Sequence, residues 1–107
     1  MDTKLAVVLN KPISNYDAFA TALNGVIIRH FPKGCSIVHD GSNSDAHVHL
    51  QRFAKEEGFT LSETESFEKC LDEGSAIVAF LEVKDREFIE RLRPYKESGI
   101  VMYLVIH

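Results

Sequence analysis

Between positions 39 and 49 the chain reads His39-Asp40-Gly41-Ser42-Asn43-Ser44-Asp45-Ala46-His47-Val48-His49, its densest run of residues able to do chemistry. Gly41 lets the backbone turn close to a ligand. Ser42, Asn43 and Ser44 supply hydrogen-bond donors, and Asp45 can cap a helix or accept from a ribose hydroxyl. The same residues also describe an ordinary polar loop with a Ser or Asp helix cap. A metal site is the competing chemistry. His47 and His49, two apart, point to different sides of a helix. Asp45 and His49 share a face, with His39 or Asp40 reaching in from the loop, but no further ligand stands at matching spacing, so no metal is expected.

A second group of candidates follows other apolar runs. Asn10 and Lys11 come directly after Leu9, and Glu82, Lys84 and Arg86 come after Leu81. Lysine offers a phosphate a point charge and arginine a planar fork, although both are most often solvated surface. Glu82, and after it Asp45, is the carboxylate best placed for glycosidic cleavage, should any reaction occur. No Ser/His or Cys/His pair has nucleophile–base spacing. Tyr16 could stack on a base, or belong to an apolar helical stripe. The acidic stretch 63–73 could meet a basic partner, although a solvated helix explains it equally.

These residues need elements to position them. Lys4–Leu9 is a continuous apolar run, as in a strand buried on both faces. Ser14 or Asn15 can cap a helix whose stripe is Tyr16, Phe19, Ala20, Leu23, Val26 and Ile27, ending near Phe31-Pro32. A strand over Cys35–His39 leads through the polar loop into a helix over about Asp45–Glu57, closed by Gly58. Phe59–Leu61 is expected as an edge strand and Glu65–Glu73 as a short acidic helix. Ala76–Leu81 is a second fully buried strand. Asp85–Glu97 is a helix that Pro94 should kink or loosen in its last turn, and Ile100–Ile106 is the closing strand. The alternation predicts one α/β domain over 1–107. It is a three-layer, Rossmann-like domain with a mainly parallel sheet of about five strands and helices on both faces. With the first strand central, the loops Asn10–Asn15, Asp40–Asp45 and Glu82–Asp85 crowd the carboxyl edge, where such sheets bind ligands.

Composition narrows the function classes. A net charge of -4 opposes broad nucleic-acid binding, which draws its affinity from a basic face. Cys35 and Cys70 lack zinc spacing and read as reduced core thiols. The apolar run near the N-terminus is too short for a leader or a membrane span. The expected setting is cytoplasmic, with no membrane partner and no cofactor.

The run Val38-His39-Asp40-Gly41-Ser42-Asn43-Ser44-Asp45-Ala46, followed by Phe53-Ala54-Lys55-Glu56-Glu57-Gly58, resembles the central motif of the SLOG superfamily, and within it the small YspA/YpsA-like branch. Ala76–Phe80, the helix after it, and Ser98-Gly99-Ile100-Val101 are similar to the family's last strand–helix–strand unit. The resemblance implies a nucleotide-like ligand held by the strand-end loops. The chain departs from the pattern at Asn10-Lys11-Pro12, where the family has Gly-Ser-Arg or similar. It also keeps only Gly41 of the central glycines, and it lacks the phosphoribohydrolase motif where Leu81–Glu87 stands. Losing those glycines removes the closest backbone approach to a phosphate.

The sequence therefore points to binding rather than turnover. The ligand is a nucleotide or nucleotide derivative, and the contacts are Asn10, Lys11, His39, Asp40, Gly41, Ser42, Asn43, Ser44, Asp45, Glu82, Lys84 and Arg86. A sensor, a carrier or a sequestering module of the phage anti-defence kind fits this build. The alternatives are an N-glycosidic nucleotide hydrolase using Glu82 or Asp45, and a protein–protein inhibitor on a degenerate nucleotide-binding fold. A sheet this small also allows a homo-oligomer.

Overall fold

The computed structural model describes residues 4–9, 15–40, 44–81 and 84–106, with 44–47 and 106 described in backbone alone. Among the described residues nine elements alternate: β1 (Lys4–Leu9), α1 (Tyr16–His30), β2 (Ser36–His39), α2 (Ser44–Glu57), β3 (Leu61–Glu63), α3 (Phe67–Glu73), β4 (Ala76–Leu81), α4 (Arg86–Glu97) and β5 (Val101–Ile106). The five strands are parallel throughout, in the order β3-β2-β1-β4-β5. β1 is central, in register with β4 from Leu5↔Ala76 to Leu9↔Phe80.

Every residue of β4 is buried, as are Leu5 to Leu9 of β1. Their continuous apolar sequences follow from helices covering both faces. Alternation sorts the side chains. Leu5, Val7 and Leu9, with Ala76, Val78 and Phe80, meet Phe19, Leu23, Leu50 and Phe53 of α1 and α2. Ala6 and Val8, with Ile77, Ala79 and Leu81, meet Phe67, Leu71, Phe88 and Leu92 of α3 and α4. Phe19 stacks on Phe80 at 4.9 Å between ring centroids. Burying one such side chain contributes about 2–3 kcal/mol, so this pair anchors the α1 layer. The architecture is a three-layer, Rossmann-like domain.

Caps fix where the helices begin. Asn15 Oδ1 accepts from the Ala18 N–H, Ser66 Oγ from Lys69 N–H and Asp85 Oδ1 from Phe88 N–H. The Ser66 cap starts α3 two residues later than its acidic run suggests. β3 also begins later than expected, at Leu61. Gly58, at φ +77°, closes α2, and the Phe59 N–H is used in that closure, donating to the Ala54 carbonyl. The Phe59 ring meanwhile stacks on Phe53. Pro94 does not end α4, which runs on to Glu97, and the Ser98 N–H returns to the Pro94 carbonyl at 3.1 Å. Among the described residues no helix is long and apolar enough to cross a membrane.

Candidate functional site

Strand order reverses beside β1: the chain runs outward through β2 and β3 with α1 and α2 on one face, then returns through α3 to β4 and β5 with α3 and α4 on the other. Connections leave such a point in opposite directions, so a crevice opens at the carboxyl ends of the strands flanking it. An open groove of about 430 Å³ lies there, lined by Leu9 from the end of β1 and Asp40 directly after β2. Glu65, Ser66 and Phe67 line it at the start of α3, and Asp85, Phe88 and Arg91 along α4.

Local interactions hold part of this lining. Thr64 donates its N–H to the His39 carbonyl at 2.8 Å, and its hydroxyl lies 3.0 Å from the Ser66 carbonyl. The segment leading into α3 is thereby tied to the end of β2. Asp85 is placed by its capping bond to Phe88 at 3.1 Å. The Arg91 guanidinium lies 4.0 Å above the Phe67 ring centre and donates to Glu68 at 3.1 Å. A backbone N–H and then Arg91 hold the Glu68 carboxyl below the usual range. Arg91 is therefore a planar cation pinned on an aromatic face. Three carboxylates (Asp40, Glu65 and Asp85) share the groove with it. They accept hydrogen bonds from hydroxyls and repel phosphate, while the guanidinium offers a planar stacking surface.

Of the residues expected from sequence, Asp40 lines this groove. His39 is buried, at 3% exposure, and supports the end of β2 from within. Ser44 and Asp45 open α2, so the helix begins where the polar loop predicts. Lys84 and Arg86 are exposed on the approach to α4 and are not among the groove-lining residues. Asn10, Lys11, Gly41, Ser42, Asn43 and Glu82 lie outside the described residues. Tyr16 has its ring covered by Arg52, 3.9 Å from the ring centre, and donates its hydroxyl to Glu56 at 3.0 Å. It joins α1 to α2 with that ring face occupied. His49 packs against Tyr16 and Phe19 at 5.4 and 5.6 Å. Among the described residues, no three His, Cys, Asp or Glu side chains gather closely enough to hold a metal.

Sequence reasoning placed Asp85 in the loop after the fourth strand and Phe88 inside the following helix but assigned neither to the ligand, and it did not single out Arg91. A signal was present: positions 85, 88 and 91 are spaced by three and share one helix face. No family model matches the chain, and the comparisons with curated proteins and with solved structures find no match either.

Proposed function

We propose that the protein binds a nucleotide or nucleotide derivative at the carboxyl edge of its sheet, as a sensing, carrying or sequestering module in the cytoplasm. The observation that carries this reading is the groove at the strand-order reversal, with Asp40 immediately after β2. In dinucleotide-binding sheets an acidic residue reached after the second strand accepts from the ribose hydroxyls, and Asp40 occupies the corresponding place. The Arg91–Phe67 pair offers the base a stacking surface. With three carboxylates on its wall, the groove favours the sugar and base. The phosphates then lie outward, toward the N-termini of α1 and α2, where free N–H groups and the helix dipole favour anions. Membership of the SLOG superfamily, and self-association of the chain, belong to the same reading.

The experiment is mass spectrometry of small molecules released by heating the purified protein, with thermal-shift screening of nucleotides, cyclic nucleotides and ADP-ribose-type compounds. A ligand released intact is expected, with a stability gain reduced in Asp40→Asn and Arg91→Ala. A cleaved ligand, with cleavage lost in Glu82→Gln, would replace binding by hydrolysis. No ligand and no shift across the panel would sink both, and leave a module working through protein contacts.

A further inference from the structure

The two edges of the sheet are built differently. β3 is three residues long, and Ser62 and Glu63 on it are exposed. Short length and polar side chains are the usual means of keeping a sheet edge from pairing. β5 has neither protection. It is six residues long, Val101-Met102-Tyr103-Leu104-Val105-Ile106, without a charge or a proline. Such a sequence belongs to a strand covered on both faces. β5 is also an edge, pairing only with β4 among the described residues. Val101 and Leu104 are 41% and 45% exposed, and Met102, Tyr103 and Val105 are half-buried. Beside the strand, Ile89, Leu92, Met102 and Leu104 line an apolar hollow of about 150 Å³ under α4, rimmed by Arg93 and Lys96.

We propose that β5 is the seam of a homodimer, in which it pairs antiparallel with the β5 of a second copy and joins two sheets into one of ten strands. This specifies the self-association in the reading above and does not depend on the ligand.

Three observations favour a second copy as the occupant. An antiparallel pair formed by a two-fold axis normal to the sheet must bring together side chains of the same face, so one residue lies opposite its own copy with the axis midway between them. Met102 and Leu104 face α4, and an axis between the two Leu104 residues places their side chains together between the two α4 helices, with Tyr103 opposite Val105. The distinct pairs within the strand are then Leu104–Leu104, Tyr103–Val105 and Met102–Ile106, which join apolar and aromatic residues, and such pairs stabilise a ladder. The rim is cationic, Arg93 and Lys96, but the Arg93 charge is offset by Glu90 at 2.8 Å, which reduces the repulsion between two α4 helices brought together. A foreign extended peptide would satisfy the ladder and leave the hollow under α4 uncovered. A strand about 20 Å long beside a helix about 18 Å long gives roughly 600 Å² per partner, the small end of stable interfaces. The dimer should therefore dissociate on dilution.

The test is sedimentation equilibrium on the full chain. The wild type should show a monomer–dimer equilibrium. Leu104→Lys should weaken it at least tenfold while circular dichroism keeps the native form. Ile28→Lys, at an apolar position 62% exposed on α1, should leave it unchanged. A wild type monomeric at every concentration would overturn the seam and self-association together. A dimer that survives Leu104→Lys but not Ile28→Lys would overturn the seam alone. Should Leu104→Lys unfold, hydrogen exchange of the wild type decides: slower exchange of the outward β5 amides on concentration supports the seam, and no concentration dependence overturns it. None of these outcomes bears on ligand release.

Discussion

A methyl group on Gly74 would lie 2.7 Å from the Ala6 Cβ and 2.9 Å from the Ala76 carbonyl oxygen. Gly74 closes α3 in an extended conformation, at φ -77°, so space rather than backbone freedom requires glycine there. The contact brings the turn between α3 and β4 directly onto the central strand. Gly74→Ala should cost about 1–3 kcal/mol by overpacking. Urea unfolding should show a lower midpoint with an unchanged slope, and a native midpoint would refute the close approach.

Asp85 both caps α4 and lines the groove, and the two roles separate by substitution. Asp85→Ala should cost about 1 kcal/mol, the usual loss for an N-cap. Asp85→Ser keeps a capping oxygen and removes the charge. It should unfold like the wild type in urea yet show an altered thermal shift with any nucleotide that stabilises the parent. Equal shifts in Asp85→Ser and wild type would place the ligand elsewhere.

Hydrogen bonds from Arg52 and then from the Tyr16 hydroxyl hold the Glu56 carboxyl below its usual range. Because the folded value is lowered, the stabilisation is present above the ordinary carboxylate value and is lost as pH falls through the folded one. Carboxyl-detected NMR titration should place Glu56 below the ordinary glutamate value. Arg52→Ala should raise it most, and Tyr16→Phe less. An ordinary titration in the wild type would show that the latch between α1 and α2 does not persist in solution.

Burial, reinforced by the Asp40 carboxylate, pushes the Cys70 thiol from near 9 up to about 12, and its Sγ–H points to the Val38 carbonyl at 3.5 Å. A raised folded value keeps its contribution intact below the unfolded value and loses it as pH climbs through the folded one. Alkaline unfolding should therefore be shallower in Cys70→Ala than in the parent over that window. At neutral pH, Cys70 should resist alkylation until the chain unfolds. Rapid labelling of the native protein would contradict its burial.

How much could be seen beforehand depends on what each feature rests on. β1 and β4 are legible because residues buried on both faces leave an unbroken apolar run, and α1, α2 and α4 because their stripes repeat at helical spacing. β3 was displaced in the reading because Leu61-Ser62-Glu63 has no apolar pattern of its own and is a strand only through its pairing with β2. Asp40 was reachable as the first polar residue after a strand. Arg91 had only its shared helix face with Asp85 and Phe88 as a signal, because it joins Asp40 through the placement of β4 beside β1, and strand order is not written in local periodicity.

That same placement governs the order in which the molecule can be made. Leu5 is in register with Ala76, so the strand at the middle of the sheet precedes the other four in the chain, and one of its two partners comes roughly seventy residues later. Closing so long a loop costs entropy before any contact repays it, and chains with distant contacts fold slowly. The β1–α1–β2–α2–β3 portion can assemble locally, but one side of β1 stays bare until β4 arrives. On the ribosome, the completed core must wait until most of the chain has emerged.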